Sequence, residues 1–364
     1  MTPGAMQHRV GRALRRFYLA GLAAISLLAT VPSAMALERQ DVWLSSDDNT
    51  PDMLDLFRQP ELWARARDRV GTFKFAPHHV TSGIAGMRNS YAALKDADAF
   101  AALRKSGIKI AVEEGAVKEW DCTGTAHAPQ ATASHMANIA AANAALQVVA
   151  MDEPLVSGRG ACGLSIDEIA KRTAAYVAAV KTSKEAQAAG APEFGDIEPY
   201  PSIPVPTLIE WVKALEAHGF KPAFLHLDIN VHYLDVHPEI RLGDDLRTLA
   251  RFFRDAGIPL GVIFWSGYDP LNSDHAYYDH VMDLAGRVKA AIGPPDQAVI
   301  QSWVTRSPVA CSRSETECAK QPCSPADPPY CGEKSIPLNL PDNDPAAFTQ
   351  TRLVRDVLAL FGDR

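Results

Sequence analysis

Several absences narrow this chain before anything in it points to chemistry. No glycine-rich phosphate turn joins a strand to a helix, so nucleotide cofactors are not expected, and the sequence implies no other cofactor. No G-x-S-x-G elbow is present, which argues against a serine hydrolase of that type. The six cysteines include no C-x-x-C pair, so a Cys₄ zinc site is disfavoured and no metal ligand set is assigned. Beyond residue 36 no apolar run approaches the roughly 20 residues needed to cross a bilayer. Basic residues are also short. The 36 Lys and Arg are outnumbered by 43 Asp and Glu, for a net charge of -7. Such a surface is a poor partner for nucleic acid or anionic lipid and suits a neutral or cationic ligand.

The first 36 residues stand apart from the rest. Arg9, Arg12, Arg15 and Arg16 precede an apolar run from Phe17 to Val31, and Ala34-Met35-Ala36 offers the small residues of a cleavage site. This is the pattern of an export signal. Arg15-Arg16 leaves both the general and the twin-arginine routes open. Cleavage would remove four positive charges and no negative ones, taking the net charge from -7 to -11. The mature chain, 37–364, is expected to be periplasmic or extracellular and not membrane-bound. An oxidising compartment also suits the cysteines. A Cys122–Cys162 bridge is expected, with two more bridges among Cys311, Cys318, Cys323 and Cys331.

From Asp41 onward a short apolar strand, a polar loop, an amphipathic helix and a glycine stop recur. The strands are read at Asp41–Ser45, Thr72–Pro77, Lys109–Glu114, Gln147–Asp152, Glu193–Glu198, Ala223–Asp228, Leu260–Trp265 and Ala298–Trp303. Strands alternating with helices pair in parallel, and eight such units close a (β/α)8 barrel, an α/β fold of one domain. Ser165-Ile166-Asp167-Glu168 and Thr207-Leu208-Ile209-Glu210 read as capping boxes, and Asp344-Pro345 as the start of the last helix. Gly107, Gly219, Gly257 and Gly293 read as helix stops. A long Cys- and Pro-rich loop, 305–340, follows strand eight.

The polar residues collect at the C-terminal ends of these strands, where barrels carry their sites. Strand one exits into Asp47-Asp48-Asn49, strand two into His78-His79, and strand three ends in Glu113-Glu114. Strand four ends in Asp152-Glu153-Pro154 and strand five in Glu198-Pro199-Tyr200. Strand six alternates Leu225, Leu227 and Ile229 with His226, Asp228 and Asn230, so one polar set faces one side of the sheet. Glu153 tops an apolar strand, where desolvation raises a carboxyl pKa and suits it to donate a proton. Glu198 is expected beside it. Paired carboxylates of this kind, one acid and one nucleophile or base, cleave glycosidic bonds. Trp265, Trp303 and Tyr200, with Trp43 and Trp120 as further candidates, would stack on pyranose rings. Trp63 and Trp211 fall in helical stretches and read as core. Glu114, Asp152, Asp228, His226 and Asn230 complete the expected substrate-binding set.

With these residues the chain resembles barrel glycoside hydrolases. The nearest echo is the large retaining clan whose strand four ends in Asn-Glu-Pro, matched here by Asp152-Glu153-Pro154. The resemblance implies an acid/base role for Glu153 and a carbohydrate substrate. Asp152 stands where that clan has the Asn that holds the sugar 2-hydroxyl. At strand seven, where its nucleophilic Glu belongs, this chain has Phe264-Trp265-Ser266-Gly267. Carboxylates on strands four and five, as in the alpha-amylase superfamily, resemble the placement of Glu153 and Glu198. Two alternatives stay open. One is a divalent-metal isomerase or hydrolase using Glu153, Glu198, Asp228, His226 and His78-His79. The other is a sugar-binding barrel without catalysis.

Overall fold

The computed structural model describes residues 37–46, 50–84, 89–124, 127–271, 273–305 and 335–362. The expected export signal, Asp47-Asp48-Asn49 and the four-cysteine segment lie outside the described residues. Eight parallel strands close a barrel in sequence order: β1 Val42–Ser45, β2 Thr72–Phe75, β3 Lys109–Glu114, β4 Val148–Asp152, β5 Glu193–Tyr200, β6 Leu225–Ile229, β7 Leu260–Phe264 and β8 Gln297–Gln301. Each overlaps the strand expected from hydrophobic runs, with ends shifted by at most two residues. The crossovers used below are α1 Ala99–Lys105, α2 His127–Ala141, α3 Pro154–Gly160, α4 Ile166–Lys181, α5 Val205–Ala217, α6 Val231–Val236, α7 Leu242–Ala256, α8 Asp274–Ile292 and α9 Gln350–Phe361. Among the described residues no helix is long and apolar enough to cross a membrane.

The helices pack by narrow apolar stripes. In α7, Leu242, Leu246, Leu249 and Phe253 are buried while the arginines of the same helix face out. Ser165 caps α4 through its hydroxyl, as expected, and Gly257 closes α7 in the left-handed conformation. Two expected starts are corrected. Pro204 precedes α5, which begins at Val205 and leaves Thr207 inside the helix. The last helix begins at Gln350, capped by Thr349, so Asp344-Pro345 lies in the preceding turn. In both cases a nearby residue fits the first turn better: proline pre-sets the backbone at α5, and the threonine hydroxyl accepts the Arg352 N–H at α9.

The register assigns every strand residue to the lumen or to the helix side. Trp43 pairs with Thr72 and Val299, Glu113 with Ala150, Ile197 with His226, and His226 with Gly261. Paired residues share a face, so Trp43, Lys74, Glu113, Asp152, His226, Asp228 and Gln301 belong to the lumen set. The lower lumen is a packed core. His226 stacks on Phe224 at 4.3 Å, and Trp43 meets both edge-on. Two glycines make the room. A Cβ on Gly195 would lie 2.2 Å from the Phe224 ring, and one on Gly261 would lie 2.3 Å from His226.

The Cys122–Cys162 bridge forms as expected and ties the loop after β3 to the turn after α3. It spans 40 residues, so it removes substantial loop-closure entropy from the unfolded chain. Replacing both cysteines by serine is expected to cost about 2–4 kcal/mol of unfolding free energy. Gly195→Ala is expected to cost about 1–3 kcal/mol by overpacking against Phe224. Denaturant titration of each variant measures both effects.

Candidate active site

The lumen mouth is built around a lysine that its strand hides. In Thr72-Phe73-Lys74-Phe75 the phenylalanines face the helices and Lys74 points inward, with no solvent exposure. Its ammonium ion-pairs with Glu113 on the neighbouring strand. Burial pushes the Glu113 carboxyl up, but the charge and hydrogen bond of Lys74, with help from Gln301 and Lys118, hold it below the usual carboxylate range. Lys118, in the loop after β3, reaches back to Asp152 at 2.7 Å. Asp152 nonetheless sits above its usual range, because burial and the Glu113 charge outweigh Lys118.

Glu153 directly follows the fourth strand and takes the left-handed conformation, φ 51° and ψ 48°. That is an uncommon and strained state for a side chain with a Cβ. Its N–H is held by the Ile197 carbonyl at 3.0 Å, and Pro154 starts α3 immediately after it. This tight strand-to-helix turn keeps Glu153 half-buried at the rim. Burial first, and then the Asp152 charge, raise its pKa to about 7. Asp228 rises well above its ordinary value through burial and the charges of Glu153 and Glu113. The Trp265 indole stands near enough to pull it partway back without making a hydrogen bond. Trp265 and Trp303 pack with ring centroids 4.2 Å apart.

Five of the expected site residues therefore share the mouth or its rim: Asp152, Glu153, Asp228, Trp265 and Trp303. Five others do not. Glu198 faces the helices and is wholly buried. Its carboxylate accepts the Leu155 and Val156 N–H groups at 2.7 and 3.3 Å and caps the start of α3. Glu114 also faces outward and binds His135 of α2 at 2.6 Å. Tyr200 is buried on that side, donating its hydroxyl to Asp245 of α7 at 2.6 Å. Asn230 caps α6, accepting the Tyr233 N–H. His226 lies in the lower lumen, bonded to Gln297 at 2.7 Å, and burial pushes its pKa down to about 3. For Glu114, Glu198 and Tyr200 the physical reason is parity: adjacent residues at a strand end lie on opposite faces, so Glu113 takes the place expected of Glu114. His226 shares the face of Asp228 but lies deeper, and Asn230 is engaged in the helix cap.

Of the looser candidates, Trp43 is core and Trp120 is 70% exposed, with the Lys118 ammonium 5.9 Å from its ring centre. Trp63 and Trp211 are core, as expected. Among the described residues no three His, Cys, Asp or Glu side chains form a metal-binding group. Lys74, Glu113, Lys118 and Gln301 complete the site; Glu113 and Gln301 read in the sequence only as polar ends of strands three and eight, and the two lysines were not singled out. Lys74 was detectable in principle, as a lone cation alternating with two phenylalanines in a strand.

The helix-side carboxyls make stability depend on pH. Burial raises Asp196 to about 8, despite its 2.6 Å bond from Trp211, and raises Glu198 well above its usual value. The folded chain thus keeps protons that an unfolded chain releases near pH ~4. Their contribution is complete below that pH and is lost as pH climbs through about 8. The melting temperature should fall across this window, and Asp196→Asn should flatten the fall. Glu198→Gln should cost about 1–2 kcal/mol, because its amide NH₂ cannot accept a backbone N–H. Thermal melts across the pH range and denaturant titration check these outcomes.

No family model matches the chain, and no curated protein matches it. Among solved structures, the barrel is similar to the catalytic domain of a beta-amylase from Paenibacillus polymyxa, with 8% identity, a TM-score of 0.43, and 73% of this chain and 93% of that one covered. It is also similar to xylanase B from Clostridium stercorarium F9, with 11% identity, a TM-score of 0.42, and 73% and 85% covered. A glucosidase from Croceicoccus marinus gives 12% identity, a TM-score of 0.44, and 73% and 59% covered. Likeness at this level does not extend to a shared activity.

Proposed function

We propose that the protein hydrolyses a glycosidic bond in an oligo- or polysaccharide. The observation that carries this reading is a pair of carboxyls at one mouth whose pKa values are pushed in opposite directions. Glu153 is raised to about 7, so a large fraction of it is protonated near neutral pH, while Lys74 keeps Glu113 ionised. Environments that drive two carboxyls apart in pKa are what acid/base division of labour needs.

In this mechanism Glu153 gives its proton to the leaving glycosidic oxygen as the bond to the anomeric carbon breaks. The Glu113 anion faces the positive charge that develops on the sugar ring. A water molecule then adds to the anomeric carbon and loses a proton to Glu153, which restores the acid. Glu113 replaces Glu198 as the second carboxyl, since Glu198 is engaged with backbone N–H groups behind the barrel wall. Trp265 and Trp303 offer aromatic surface to the C–H faces of the sugar. Export of the enzyme is part of the proposal. It is supported by the basic and apolar pattern of residues 1–36 and by the disulfide.

Digestion of a glycan library with mass readout tests the activity. Glu153→Gln keeps the shape and removes the proton, and should lower kcat by about 10²–10⁴-fold. Because the acid must be protonated, kcat/KM should fall as pH rises through about 7. Undiminished turnover in Glu153→Gln, or a rate that climbs through that range, refutes the assignment. Binding without turnover across the library would mark a sugar-binding barrel instead.

A further inference from the structure

Three buried polar atoms in the mouth have no hydrogen-bond partner among the described residues: Asp228 Oδ1, Trp265 Nε1 and Gln301 Oε1. Their residues belong to the lumen set of three successive strands, β6, β7 and β8, with Trp265 directly following β7. Trp265 and Gln301 are 6% and 8% exposed, so bulk water does not serve them freely. Buried polar groups are almost always paired, and a cluster of exceptions at a mouth calls for a ligand.

The three atoms differ in what they can do. An indole N–H only donates, and an amide oxygen only accepts. The carboxyl of Asp228 lies between these roles. Burial and the neighbouring carboxylates favour its neutral form, which both donates and accepts. The complement of donor, donor-acceptor and acceptor is a pair of neighbouring hydroxyl groups. A carboxylate or phosphate has no hydrogen for Gln301 Oε1 and would bring negative charge toward Glu113 and Asp152. An ammonium ion has no lone pair for Trp265.

We propose that Trp265 Nε1–H, Asp228 and Gln301 Oε1 form a recognition subsite for two adjacent hydroxyls of an uncharged pyranose, with Trp303 beside Trp265 as its aromatic wall. One hydroxyl accepts from the indole, one donates to the Gln301 amide, and Asp228 bridges them. The inference rests on the glycosidase reading for its place in the reaction. It narrows the substrate class to neutral sugars bearing a vicinal diol.

The test reads binding apart from turnover. The chain has six tryptophans, and loss of one indole N–H signal in Trp265→Phe identifies that of Trp265 in ¹⁵N-labelled protein. Titration with D-glucose, D-galactose, D-mannose and D-xylose should move this signal, whereas D-glucuronate, which brings a carboxylate toward Glu113, should not. Trp265→Phe keeps the ring and Gln301→Met keeps the volume. Each should weaken binding of the responsive sugar by about tenfold, the effect of one lost hydrogen bond. A signal that no neutral pyranose moves, or that glucuronate moves equally, overturns the proposal, as does unchanged affinity in both variants. A shifted Trp265 signal in a protein that cleaves no glycan keeps the subsite and rejects the glycosidase reading. Glycan cleavage with an unmoved signal and unchanged KM in both variants does the reverse.

Discussion

The ion pair between Lys74 and Glu113 sets the chemistry of the whole mouth. A lysine with no solvent exposure at the end of a barrel strand must have a counter-charge, because an unpaired buried ammonium is very costly. Glu113 supplies it and is thereby kept ionised. The same anion is one of the charges that hold Asp152, Glu153 and Asp228 above their ordinary pKa values. Burial and this ion pair together thus set one carboxyl below its ordinary pKa and three above theirs. Lys118 moderates this for Asp152, and the disulfide beside it ties down the loop that carries it.

Behind the wall a second set of buried acids does structural work. Glu198 caps α3, Asp196 holds the Trp211 indole, and Glu114 holds His135. These contacts hold helices α2, α3 and α5 against the outer faces of β3 and β5. The cap on α3 bears on the mouth as well, because that helix begins at the residue after Glu153. The strained backbone at Glu153 is thus gripped from two sides, by the Ile197 carbonyl on its own N–H and by Glu198 beneath the next two residues but one. Both grips come from β5. An acid can serve the site without facing it.

Much of the fold was legible in the residue order. Eight apolar runs, each followed by polar residues and a helical stripe, are strong periodic signals, and hydrophobic burial acts on them locally. The concentration of charge at one end of the strands was legible for the same reason. Glu153 stood out because an apolar strand ended abruptly in an acid and a proline. The partner acids were less legible. Glu113 and Glu114 are chemically equivalent in the sequence, and nothing local shows that Asp196 and Glu198, two residues apart, both take the helix side. Only the pairing of Glu113 with Ala150 and of Glu198 with Leu227 tells which side of the wall each occupies.

The sequence alone therefore determined the strand count, the parallel barrel, the end that carries the polar residues and the Cys122–Cys162 bridge, because each follows from local pattern and composition. Tertiary structure alone decided which acids face the lumen, which lysine answers them and which polar atoms remain unpaired. Those depend on register between strands distant in the chain. A shift of one residue there exchanges every inward side chain for an outward one.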